Sequence, residues 1–109
     1  MTDDCWCCRL ATGDRELKCT RWFYLGAEGI VCEDANPKRW DLRLLFVPAE
    51  HHECGFEPRR LWEEANRLLL GVANALVAEH PGLQIADFDF HRHSYRRHWH
   101  AQLGMMRED

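Results

Sequence analysis

The sequence predicts an α+β domain, an antiparallel β-meander of about five strands with one long and one short helix. Three observations carry that prediction. Only one extended segment, from Arg59 to His80, repeats its apolar residues at helical spacing. Short β-branched and aromatic segments bounded by turn residues lie on both sides of it. Near the C-terminus, "RRHWHAQLGMM" alternates polar and apolar residues with a period of two.

Taken in order, Cys5 to Leu10 form about one helical turn, ended by Thr12-Gly13-Asp14. "RWFYLG" and "GIVCED" read as two strands of a hairpin, closed off by the turn signal "DANP". Asp41 to Pro48, "DLRLLFVP", is a strand whose nearly continuous apolar run implies cover on both faces. In the long helix, Leu61, Ala65, Leu68, Val72, Ala75 and Leu76 mark the buried stripe, with Pro58 suited to the first helical position and Pro81-Gly82 ending the run. "LQIADFDF" sets Ala86, Phe88 and Phe90 against Ile85, Asp87 and Asp89, as a half-buried strand would. After "HRHSYRR" comes a last strand, Arg97 to Gly104.

The chain has 109 residues, 46% hydrophobic and 29% charged, which suits one globular domain spanning residues 1–109. A formal charge of −4 gives no global attraction to nucleic acid or membranes, and the basic "HRHSYRRH" is a local exception. No apolar run approaches the ~20 residues that span a bilayer, and "MTDDCWCC" lacks the pattern of a secretion signal. The expected location is the cytoplasm. There, six cysteines are better read as thiols or metal ligands than as a disulfide framework. All six lie in the first half, at positions 5, 7, 8, 19, 32 and 54, whereas five of the seven histidines lie beyond residue 79. A metal site closing the fold across that distance has this appearance. Cys7, Cys19, Cys32 and Cys54 are expected to be buried, inert thiols.

Alternation in the last strand defines the candidate site. Neighbours on one face of a strand stand ~6.6 Å apart, so His98, His100 and Gln102 line one face while Trp99, Ala101 and Leu103 line the other. The imidazole of His100 is expected to stand open to solvent beside a second imidazole.

This pattern resembles the histidine-triad (HIT) superfamily, whose His-x-His-x-His signature sits on the last strand of an α+β meander. "HWHAQ" departs from it at the third position, and His-x-His-x-Gln resembles the branch of galactose-1-phosphate uridylyltransferases and dinucleoside-polyphosphate phosphorylases. "CWCC" resembles the N-terminal Cys-x-x-Cys of bacterial members through Cys5 and Cys8, "EDANP" the Asp-x-x-Pro turn, and "VPAEHH" the Pro-x-x-His after the central strand. The four motifs follow in family order over nearly the whole chain.

The resemblance implies a structural zinc ion held by Cys5, Cys8, His51 and His98, with His52 and Cys7 as possible replacements. It implies that His100 attacks an α-phosphorus to form a covalent nucleotidyl-histidine, with Gln102 donating to a phosphoryl oxygen. Asp34 would contact ribose hydroxyls; in the loop "HSYRR", which departs from the family's glycine-rich one, Ser94 and Arg96 or Arg97 are candidates for contacts to the phosphate. Trp22, Phe23, Ile30 and Leu44 are candidates for a base-stacking wall. Glutamine in place of the third histidine leans toward transfer to a phosphate acceptor rather than to water. His91 and His93 have no family role and read as solvated loop residues. Only five residues follow Gly104, so a shallow pocket, or one closed by a second subunit of a homodimer, is expected. The competing reading is a non-catalytic, zinc-stabilised module that binds nucleotides or a partner. Nucleic-acid binding through "HRHSYRRHWH" is disfavoured by the net acidity.

Overall fold

Apolar residues on both faces of one sheet set the architecture, because each face needs a helix to cover it. The computed structural model describes residues 6–11, 19–34, 37, 39–89 and 98–108, with backbone only at residues 6, 19, 20 and 25. Its elements are α1 (Trp6–Ala11), β1 (Cys19–Gly26), β2 (Gly29–Asp34), β3 (Leu42–Pro48), α2 (Arg59–Glu79), β4 (Leu83–Asp89) and β5 (Ala101–Arg107). The strands pair antiparallel in the order β1-β2-β3-β5-β4. The α+β arrangement expected from the sequence is present.

On one face, Val31, Leu44, Phe46, Ala101, Leu103 and Met105 pack under α2 through its Leu61, Ala65, Leu68, Leu69, Ala73 and Leu76. On the other, Ile30, Cys32, Leu45 and Val47 pack under α1 through Cys7 and Leu10. The central strand β3 therefore alternates between two covered layers, and this is why its sequence is apolar almost throughout. The buried stripe of α2 runs through Leu69 and Ala73, and Ala75, which the sequence placed in it, is exposed. Pro58 is the N-cap, extended at φ −66° and ψ 147°, one position earlier than expected.

Two strand expectations are corrected. The pairing of β4 with β5 shifts between Ile85 and Asp87, so Ile85 faces the same side as Met105 and Phe88 the same side as Leu103. The strict alternation read from "LQIADFDF" is broken there, and β4 is an edge strand exposed over most of its length. The last strand begins at Ala101 rather than Arg97. His98, Trp99 and His100 precede it and are held differently, with Trp99 N–H donating to the His52 carbonyl at 2.6 Å. Trp99 still takes the inner side, 1% exposed and stacked on Trp62 with ring centroids 6.2 Å apart. No helix among the described residues is long and apolar enough to cross a membrane.

Gly29 opens β2 at φ +150°, and a Cβ there would lie 2.4 Å from the Val47 carbonyl oxygen. Both the backbone angle and the close approach require glycine. Gly29→Ala should lower unfolding stability by about 2 kcal/mol or more. Urea denaturation checks this, and a wild-type midpoint would refute the register at the β2–β3 ladder.

Candidate functional site

The α1 side of the sheet carries a polar row set into its apolar layer. Side chains on this face come from alternate residues of each strand. Ile30, Cys32 and Asp34 lie along β2, Arg43, Leu45 and Val47 along β3, and Gln102 on β5 with His100 and His98 just before it. His98, His100 and Gln102 thus share one face, as the sequence implied, and Trp99, Ala101 and Leu103 lie in the α2 core.

His98 is fully buried. A backbone carbonyl can only accept, so the 2.9 Å contact between His98 Nε2 and the Pro48 oxygen places the proton on Nε2. In the neutral ring Nδ1 then holds a lone pair. Burial disfavours the imidazolium and brings the His98 pKa down to about 4; nearby His51 and His52 add to the effect, and the Pro48 hydrogen bond opposes it. The ring is therefore neutral at ordinary pH, the form that binds metal.

The lone pair of His98 faces two further donors. Cys8 Sγ lies 3.4 Å from His98 Nδ1 and 3.0 Å from His51 Nδ1, and the two Nδ1 atoms are 3.2 Å apart. A tetrahedral ion with metal–sulfur bonds of about 2.3 Å and metal–nitrogen bonds of about 2.0–2.1 Å would give edges of roughly 3.3–3.6 Å. The three atoms nearly form one face of such a tetrahedron, so Cys8, His51 and His98 can hold a metal ion. The carbonyl behind His98 orients it as an outer-shell partner does in metal sites. The fourth ligand taken from the sequence, Cys5, lies outside the described residues. The suggested replacements are directed elsewhere: His52 Nε2 lies 3.2 Å from Glu50, and Cys7 Sγ lies 3.9 Å from His100 Nδ1.

His100 Nδ1–H donates to the His98 carbonyl at 3.0 Å, which leaves Nε2 as the lone-pair nitrogen of the neutral ring. Gln102 Nε2 approaches it at 3.5 Å. The expectation that His100 stands open is corrected: the residue is 2% exposed. One reason is that α1 docks on this face through Cys7 and Leu10. The sequence marked α1 as a helical turn but could not show where it packs.

Asp34, expected at the ribose, forms an ion pair with Arg43, whose Nη1 also donates to Gln102 Oε1 at 3.3 Å. Arg43 is 8% exposed. Sequence reading passed over it inside the apolar "DLRLLFVP". The available signal was a charge on the same face as Leu45 and Val47 in a strand covered on both sides. Ser94 and Arg97, with His91 and His93, lie outside the described residues. The four residues suggested for a base-stacking wall do not share a face. Phe23 and Leu44 pack with the α2 core, whereas Trp22 and Ile30 pack with the α1 layer. Cys7 and Cys32 are buried as expected, Cys54 is only partly so, and the Cys19 side chain lies outside the described set.

Two outcomes test the cluster. Protein purified without added metal should contain about one ion per chain by elemental analysis, and Cys8→Ser or His51→Asn should lose it along with several degrees of melting temperature. An unchanged metal content in both variants would remove the site. In metal-free protein, His98 is harder to protonate folded than unfolded. Its contribution to stability should be fully present above about pH 6.5 and lost as pH falls toward about 4, a slope that His98→Asn removes.

Compared with protein-family models, curated proteins and solved structures, the chain matches none.

Proposed function

We propose that this chain is a HIT-type nucleotide-binding enzyme, a hydrolase or nucleotidyltransferase acting at the α-phosphate of a nucleoside phosphoanhydride or phosphoramidate. The observation that carries the reading is the tautomer of His100. Its Nδ1–H is committed to the His98 carbonyl, and its Nε2 lone pair faces the Gln102 amide. An imidazole held in this tautomer carries its lone pair on Nε2, the form that a nucleophile requires. That nitrogen forms a P–N bond as the bond to the leaving group breaks; the leaving group takes the electron pair, a phosphate departing as the anion and an amine departing with a proton taken from solvent. The ring becomes positively charged on substitution, and the His98 carbonyl accepting from Nδ1 stabilises that charge. Water or a phosphate acceptor then attacks phosphorus and restores the neutral ring. Gln102, a neutral amide, supplies an N–H to a non-bridging oxygen but no proton to a leaving group.

In this reading the metal is a structural zinc held by Cys8, His51 and His98, with Cys5 as fourth ligand. Thiolate with imidazole is a donor set zinc favours. It pins the N-terminal helix to the segment before β5 and does not contact substrate. Asp34 binds ribose, and Ser94 and Arg97 contribute to phosphate binding. A homodimer and a cytoplasmic location complete the proposal, the first by resemblance to HIT proteins.

A second reading is favoured by a specific observation, the 2% exposure of His100. It describes a zinc-stabilised module that binds nucleotides or a partner without turnover. Catalysis requires the cover over His100 to move aside, whereas binding alone does not.

Incubation with α-32P-labelled nucleoside 5′-phosphorimidazolides should leave acid-labile label on wild type and none on His100→Asn. Thermal stabilisation by nucleoside monophosphates without label would select the binding module, and equal labelling of both proteins would eliminate the covalent mechanism.

A further inference from the structure

Arg43, His98 and His100 are the buried polar residues among those described. The two histidines have roles in the proposed chemistry, and Arg43 has none yet. It stands on β3 between Asp34 of β2 and Gln102 of β5, joining three neighbouring strands on the α1 face.

The side-chain amide of Gln102 has two ends of nearly equal size, and only its partners decide which way it points. A guanidinium offers donors and no acceptor. With Arg43 Nη1 at 3.3 Å, the end of Gln102 facing Arg43 must be the oxygen. The NH2 end is thereby turned to His100 Nε2, 3.5 Å away. Were the amide reversed, its N–H groups would meet the guanidinium donors and its oxygen would meet the imidazole lone pair. Both contacts are repulsive. Asp34 pairs with Nη2 and holds the guanidinium in place.

Stability does not account for an arginine here. Its neighbours on the same face of β3, Leu45 and Val47, are apolar, and replacing a buried ion pair with apolar side chains is often neutral or stabilising. The pairing also leaves Arg43 Nε buried without a hydrogen-bond partner among the described residues.

We infer that Arg43 is a positioning residue: it fixes the orientation of the Gln102 amide, so that an N–H rather than a carbonyl oxygen is presented beside His100 Nε2. The inference rests on the nucleotidyl-transfer reading for its catalytic consequence, but the amide orientation can be tested without activity.

NMR of isotope-labelled protein provides that test. Wild type should show a nuclear Overhauser effect between the Gln102 side-chain amide protons and His100 Hε1. Arg43→Met should lose it, and Arg43→Lys, which retains a donor, should keep it. Absence of the effect in wild type, or its survival in Arg43→Met, overturns the inference. With phosphorimidazolide as donor, Arg43→Met should slow labelling of His100 roughly 10- to 100-fold, at or below the loss seen on removing a transition-state donor. The double variant Arg43→Met/Gln102→Leu should be no slower than Gln102→Leu alone, the signature of two residues acting as a unit. Additive losses, or labelling at the wild-type rate in Arg43→Met, count against Arg43. A wild type that takes no label at all refutes the enzymatic reading, while the amide measurement still decides the orientation.

Discussion

The hydrogen bond from His98 Nε2 to the Pro48 carbonyl is the constraint on which the site depends. It joins the end of β3 to the segment leading into β5, two pieces of chain 50 residues apart. Beside it, Trp99 N–H donates to the His52 carbonyl. Together they fix which way residues 98 to 100 turn before the ladder takes over at Ala101. With His98 held toward α1, Trp99 must enter the core under α2, and His100 must return to the α1 side. A neutral His98 is part of the same arrangement, since a protonated Nδ1 would face Cys8 and His51 without an acceptor lone pair to offer.

The two faces of the sheet divide the work. Under α2 the packing is almost wholly apolar, and the aromatic stack of Trp62 on Trp99 carries that layer to the end of the strand. Under α1 the apolar cluster is smaller, and polar side chains run through it from Asp34 by way of Arg43 and Gln102 to His100. Buried polar groups are tolerated when they satisfy one another, and such networks specify a single arrangement. The larger layer supplies burial and the smaller one carries the polar network.

Much of this was legible in the sequence because period-two alternation survives folding almost unchanged. "HWHAQL" sorts its side chains onto two faces whether or not all its residues are in the strand proper. The run "LLFV" announced a strand covered on both sides, and Pro58 and Pro81-Gly82 marked the helix to within a residue or two. What sequence could not supply was the result of docking. Nothing in "CWCCRL" says that its helix lies over His100. Nothing in "LQIADFDF" reveals a register shift near Ala86, because a bulge is a property of the pair of strands. The pairing of Arg43 with Asp34 and Gln102 depends on three strands meeting in one register, and one strand read alone shows only an isolated charge. Cys8, His51 and His98 were reached as candidate metal ligands through resemblance, and geometry brings these three together.

Cys7 and Cys8 occupy consecutive positions of a helix only six residues long. Such a short helix has little stability of its own and keeps its place through its attachments. One thiol rests against His100 and the next belongs to the donor cluster. The helix cannot swing the first away without dragging on the second. Any displacement of this turn that uncovers the His100 ring therefore also draws Cys8 away from His51 and His98, so the exposure of one imidazole and the closeness of the other two donors vary together.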